Sequence, residues 1–84
     1  MQPEEVKALI EAAIPGATVT VHSDGSHFEI TVVSEAFDGL ARLRREQQIN
    51  AALLEPITSG VIHAVSSRLY TPEEWNRASK LQVS

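Results

Sequence analysis

Two alternating runs joined by an Asp-Gly pair constrain the fold of this chain more than any other feature. In ATVTVHS (17–23) and HFEITVV (27–33), apolar residues alternate with polar ones. A period of two predicts strands with one buried face and one exposed face. The linker SDGS carries a strong β-hairpin turn signal. The sequence therefore predicts an antiparallel hairpin, with His22 and His27 beside its tip and on the polar face.

Helical patterns occupy much of the remaining chain. Apolar residues near the N-terminus recur at i, i+3, i+4 and i+7, which predicts a helix that ends at Pro15-Gly16. The chain after Gly39 is helical in composition, and Pro56 predicts a break followed by a short helix before Gly60.

A third strand and a last helix complete the order of elements. The run VIHAVSSRLY (61–70) predicts the strand. Thr71 and Glu74 form a T-x-x-E capping box, with a proline at the first helical position between them. Tyr70 and Trp75 occupy the two positions of a hydrophobic staple. We expect this junction to be structural.

The predicted fold is an α+β two-layer domain with the order αββα(α)βα. Its three-stranded mixed sheet has helices on one face. The first two strands pair antiparallel, and the third lies parallel to its neighbour after a right-handed crossover. With 84 residues, the chain is expected to form a single domain, 1–84.

Composition excludes several classes of function. The chain has no cysteine, so it cannot itself supply a disulfide, a thiolate zinc site or a cysteine nucleophile. A net charge of −4 weighs against nucleic-acid binding, which usually relies on a basic excess. No apolar run approaches the roughly 18 residues of a membrane-spanning helix, and MQPEEVKAL is not typical of a signal or transit peptide. We therefore expect a cytoplasmic protein without a membrane partner.

No motif predicts catalysis. G-x-S-x-G, H-E-x-x-H, P-loop and G-x-G-x-x-G sequences are absent. The pairs Glu4-Glu5 and Glu73-Glu74 are typical of surface charges that complement a helix dipole. We expect no enzymatic activity and no catalytic residue.

One electropositive run, RLRRE, contains Arg42, Arg44 and Arg45. Such a run is typical of a solvated helix face. Alternatively, it forms a docking patch for an acidic partner or a phosphate backbone. No aromatic residue interleaves it, so base stacking is not predicted.

The three histidines are the remaining candidates for chemistry. His63 lies between Ile62 and Ala64 in the predicted third strand. Parallel pairing would bring the start of that strand close to the loop that carries His27. Two imidazoles form half of a metal site, and the absence of thiolates then implies a second molecule. The alternative is that each histidine is only a hydrogen-bonding residue.

The chain resembles the BolA-like family, and in particular its IbaG-like bacterial branch. The resemblance covers nearly the whole chain. It is carried by DGSHF (24–28), F-x-G (37–39), Arg42, Gln47, Leu53, IHAVS (62–66) and YTPEEW (70–75).

This resemblance implies a fold similar to the class II KH domain and a monothiol glutaredoxin as partner. The two proteins would share a [2Fe–2S] cluster, with thiolates from the glutaredoxin cysteine and from glutathione. His63 matches the family's histidine ligand, and His27 matches the second ligand, in the loop between the first two strands. No cofactor is then expected in the isolated chain, which would be a monomer or a weak homodimer. The implied function is cluster trafficking or iron homeostasis.

Two departures from the family pattern concern nucleic acid. Arg45-Glu46-Gln47 stands where other branches carry R-H-R, and EPITSG lacks the G-x-x-G of a KH domain. These departures argue against nucleic-acid contact, so a KH-like DNA-binding transcriptional regulator ranks second, as the alternative function. An interaction module with structural histidines is a third possibility, and His22 is the alternative loop ligand.

Overall fold

The computed structural model of the chain describes residues 1–25 and 27–82. The elements follow the predicted αββα(α)βα order. They are α1 (Pro3–Ala13), β1 (Thr18–Asp24), β2 (His27–Val33), a 3-10 turn (Glu35–Phe37), α2 (Arg42–Ala52), α3 (Leu54–Thr58), β3 (Ala64–Tyr70) and α4 (Pro72–Gln82).

The sheet is mixed, as predicted, with the strand order β1-β2-β3. β1 pairs antiparallel with β2, and β2 pairs parallel with β3. At the hairpin, Gly25 has a φ of 64°, a left-handed conformation that glycine adopts without steric cost. Ser26, the last residue of the predicted SDGS turn, lies outside the described residues.

The core lies between the sheet and the helices of one face. Alternate residues of β2 are buried there together with the apolar stripe of α1 and single residues of α2 and the loops. The fully or almost fully buried side chains include Val6, Ile10, Phe28, Ile30, Val32, Phe37, Ile49 and Leu53. The predicted α+β architecture is confirmed, while similarity to a KH domain stays a prediction.

The last helix, α4, lies beside the sheet. Its main contacts are with β3, which is an edge strand. None of its described residues belongs to the buried core cluster. Within residues 1–25 and 27–82, no helix combines the length and apolarity needed to cross a bilayer.

The break between α2 and α3 lies three residues before the predicted position. Leu53 leaves helical geometry, with φ −107° and ψ 17°, and α3 begins at Leu54. Pro56 is the third residue of α3, where proline is tolerated because a first-turn N–H has no partner within the helix. In a continuous helix Pro56 could not donate to the carbonyl of Ala52, the last residue of α2, and its ring would clash with that carbonyl, so Pro56 accounts for the predicted break.

The third strand begins at Ala64, not at Val61 as predicted. The backbone N–H groups of Val61 and Ile62 both donate to the carbonyl of Pro56, at 3.0 and 3.1 Å. These bonds tie the segment to the end of α3 and divert it from the sheet. His63 consequently precedes β3 and does not lie within it.

Candidate metal centre

His27 and His63 lie at the same end of the sheet. His27 is the first residue of β2, and its partner across the parallel register is Ala64, the first residue of β3. His63 directly precedes Ala64. The parallel pairing predicted from the sequence therefore brings the start of β3 beside His27.

The His27 side chain is anchored by a serine of the neighbouring strand. Its Nε2 lies 2.9 Å from the hydroxyl oxygen of Ser66. Ser66 projects from the same face of the sheet as His27 because it is two residues after Ala64. Such a bond orients the ring and sets which nitrogen carries the proton. The sequence analysis missed Ser66, although it lies within the IHAVS block.

His63 is exposed to solvent, in the connection between α3 and β3. Buried Ile62 precedes it and anchors the backbone in the core. The imidazole of His63 is thus presented at the surface by a fixed backbone, which suits a group that meets a second molecule.

His22 occupies a different part of the sheet. It pairs with Glu29, two residues further along β2 than His27. It borders a groove of about 250 Å³ that Arg68 and Trp75 also line. The register thus places His27, rather than His22, at the end where His63 lies.

These histidines do not form a complete metal site by themselves. Within the two described stretches of the chain, no three His, Cys, Asp or Glu side chains are grouped so as to hold a metal ion. The arrangement provides imidazole donors at one end of the sheet and leaves further ligands to another molecule.

The predicted docking patch of three arginines is divided by the structure. The side chain of Arg45 is 12% exposed and forms an ion pair with Glu74 at 2.6 Å. Arg42 is exposed and pairs with Glu46 on its own helix, at 3.0 Å. Arg44 is exposed. The guanidinium of Arg45 is therefore used inside the fold, and a docking role for the three arginines stays a prediction.

Arg45 joins α2 to the end of β3 and the start of α4. Its Nε donates to the carbonyl of Leu40, and one Nη donates to the carbonyl of Leu69. Both Nη atoms donate to the carboxylate of Glu74, at 2.6 and 3.2 Å. The Arg45 guanidinium also lies 5.7 Å from the centre of the Phe37 ring. No local motif could have revealed this contact, since 29 residues separate Arg45 from Glu74.

Both hydrogen bonds of the predicted capping box are present. The Glu74 N–H donates to the hydroxyl of Thr71, and the Thr71 N–H donates to the Glu74 carboxylate. The rings of Tyr70 and Trp75 are 5.4 Å apart, at the positions of the staple. The hydrogen bond from Arg45, followed by the one from the Thr71 backbone, lowers the pKa of Glu74 to about 2.

Comparisons with known proteins agree on one family. A family model described as BolA-like protein matches residues 7–74. The chain is 41% identical to acid stress protein IbaG of Escherichia coli strain K12 over 81 residues, 96% of each protein. It resembles the structure of a BolA homologue from Coxiella burnetii, with a TM-score of 0.77 and 31% identity over 90% of this chain and 97% of that one. Yeast Fra2 is 35% identical, with a TM-score of 0.68 over 100% and 94%. The chain therefore belongs to the BolA-like protein family.

Proposed function

We propose that this protein is a non-enzymatic partner of a monothiol glutaredoxin and co-ligates a [2Fe–2S] cluster with it. The cluster would serve iron–sulfur trafficking or iron homeostasis. The observation that carries the proposal is the position of His27 and His63 at one end of the sheet, in a BolA-like chain that has no cysteine.

The donor set fits one side of such a cluster. Imidazole is a suitable ligand for iron, and histidine replaces cysteine on one iron of some [2Fe–2S] centres. The remaining ligands would be thiolates, which this chain cannot provide. A glutaredoxin cysteine and a glutathione thiolate would complete the set.

Each histidine would contribute in a different way. The Nε2 of His27 is engaged by Ser66, so Nδ1 would be the nitrogen that ligates, with Nε2–H donating to the serine hydroxyl. His63 is exposed and would meet the partner's cluster directly. When bound, a cluster with imidazole on one iron has a higher reduction potential than one held by thiolates alone.

Ligation by histidine also suits a role under stress. An imidazole must be neutral to bind a metal, so protons compete with iron for it. The name of the E. coli relative refers to acid stress, and we propose a stress response as the setting of this function. The cytoplasm, where glutathione is reduced, is the compartment that fits the partnership.

The test is co-expression with a monothiol glutaredoxin, followed by visible absorption and circular dichroism spectra of the purified complex. The wild-type pair should copurify with a cluster whose spectrum differs from that of the glutaredoxin alone. His63→Ala and His27→Ala should each change that spectrum and speed cluster loss, whereas His22→Ala, the matched control, should not.

The outcomes separate the two ligands. A His63→Ala complex with a wild-type spectrum and lability would exclude His63 as a ligand. An effect of His22→Ala without one of His27→Ala would mean that the second ligand is His22. If the two proteins do not associate at all, the proposed function fails.

A further inference from the structure

The outer edge of β3 has backbone groups that face no neighbouring strand. The carbonyl of Tyr70 accepts from Ser34, which directly follows β2, at 2.9 Å. Backbone groups of successive strand residues point alternately to the two sides. Tyr70 therefore faces β2, and the groups of Val65, Ser67 and Leu69 face outward.

These outward groups are largely without partners. The carbonyl of Leu69 accepts one hydrogen bond, from an Nη of Arg45 at 3.1 Å. Across residues 1–25 and 27–82, no other hydrogen bond reaches the outward N–H and C=O groups of Val65, Ser67 and Leu69. An unpaired edge of this kind is a template for a further strand.

The edge lies in a groove between α2 and α4. One part has a volume of about 640 Å³, with Leu40 and Leu69 on its floor and Arg77 on its α4 side. A second part of about 340 Å³ continues along the strand to Val65. Arg42, Glu46 and Ser67 line both parts, so the two lie side by side along β3, and we call them together the β3 groove.

The β3 groove is positively charged in an acidic protein. Four of the seven basic residues of the chain line it, against two carboxylates. Three of the arginines, Arg42, Arg68 and Arg77, are exposed, whereas the rest of the chain carries a large acidic excess. The groove therefore attracts anionic groups.

We infer that the β3 groove binds an extended acidic peptide segment of another protein, which adds a fourth strand to the sheet at β3. Main-chain hydrogen bonds to Val65, to Ser67 and to the N–H of Leu69 supply affinity, as in other cases of strand addition. Alternate side chains of the peptide meet the arginines and the apolar floor, which favours a sequence in which acidic and apolar residues alternate. This inference goes beyond the proposed function and does not rest on it.

A peptide fits these features better than a nucleic acid. The outer edge of β3 presents both N–H and C=O groups. A peptide backbone can accept from the N–H groups and donate to the C=O groups, whereas phosphate oxygens only accept. The chain also lacks the G-x-x-G loop with which KH domains clamp that backbone.

The test uses a capped heptapeptide of alternating Glu and Val, titrated into the ¹⁵N-labelled full-length protein at low salt. We expect shifts of the Val65, Ser67 and Leu69 amide signals and slower hydrogen exchange at these amides. A peptide of the same sequence with alternate N-methylated residues keeps the charge but cannot pair as a strand, so it should lose the exchange protection and bind at least about tenfold more weakly.

Matched variants test the charge of the groove. The double variant Arg42→Glu/Arg77→Glu should weaken binding about tenfold. Arg44→Glu/Lys80→Glu, an equal double charge reversal on the same two helices but outside the groove, should weaken it much less. Amide spectra of each variant establish that it is folded.

Three results would overturn the inference. They are equal binding of the N-methylated peptide, equal effects of the two double charge reversals, and no binding at millimolar peptide. Tighter binding of a seven-nucleotide oligo(dT) to the same amides would overturn it in favour of a nucleic acid.

Discussion

The two ends of β3 differ in how their polar side chains are used. At the carboxyl end, Glu74 bonds to both Thr71 and Arg45, and Arg45 also donates to a backbone carbonyl, that of Leu40. At the amino end, His63 is exposed and His27 has one hydrogen bond, to Ser66. Both ends carry family motifs in the sequence, YTPEEW at one and IHAVS at the other.

This difference separates polar groups that are used within the fold from polar groups that remain available to a second molecule. Polar groups that satisfy one another within the fold stabilise it and have little capacity left for a ligand. Polar groups that remain exposed at a fixed position contribute little to folding and are available to a partner. The free energy of unfolding should therefore respond more strongly to substitutions at the carboxyl end of β3 than at the amino end.

The largest loss of stability is expected for Arg45→Ala. The substitution removes the ion pair to Glu74 and two bonds to backbone carbonyls, and it leaves these acceptors partly buried. The expected cost is about 2 to 3 kcal/mol, measured by urea denaturation. Arg44→Ala, on the exposed side of the same helix, should stay within about 0.5 kcal/mol. Equal values for the two variants would mean that Arg45 does not connect α2 to α4.

Acid should weaken the contacts that Glu74 makes with Arg45 and Thr71. The folded pKa of Glu74, about 2, lies below its ordinary value of 4.5, so its carboxylate stabilises the fold fully above about pH 4.5. That contribution is lost as the pH falls toward 2. Because the Glu74 side chain is 36% exposed, solvent screening should keep the effect below that of Arg45→Ala.

The variant Glu74→Gln isolates this contribution from that of other carboxylates. The difference in unfolding free energy between wild type and Glu74→Gln should be largest near neutral pH and should shrink between about pH 4.5 and 2. A difference that does not vary with pH would show that the charge of Glu74 does not stabilise the fold.

Removal of the hydroxyl that caps α4 should lower the free energy of unfolding by less than Arg45→Ala does. Thr71→Ala deletes the hydroxyl that accepts from the Glu74 N–H, at a typical cost of about 1 kcal/mol. Ser79→Ala is the control, because Ser79 bears a hydroxyl in the same helix but not at its start. Thermal melts should show a lower melting temperature for Thr71→Ala alone, and cluster ligation should be unchanged. Equal melting temperatures would argue against a stabilising cap.

The smallest change in stability is expected for His63→Ala. An exposed side chain at the open end of β3 should contribute no more than about 0.5 kcal/mol. The same substitution should have a large effect on the shared cluster, which would sharpen the contrast between the two ends. A loss of several kcal/mol would instead indicate a structural role for His63.

Local patterns in the sequence were enough to predict the element order, the hairpin and the capping box. Each depends on residues only a few positions apart: the alternation in 27–33, the Asp-Gly pair, and the T-x-x-E spacing from Thr71 to Glu74. The start of β3 was missed because two hydrogen bonds to the carbonyl of Pro56 hold Val61 and Ile62 away from the sheet.

The site required more than local patterns. His27 and His63 were identified in the sequence as candidate ligands. Their position at the same end of the sheet depends on the β2–β3 register, which only the folded sheet sets. The same holds for the anchor Ser66 and for Arg45. A sequence pattern reports which groups a residue can bond with, whereas long-range packing decides which of these groups come within reach. Packing thus turned Arg45 into an internal connector between α2 and α4, and it left the β3 edge and His63 open to other molecules.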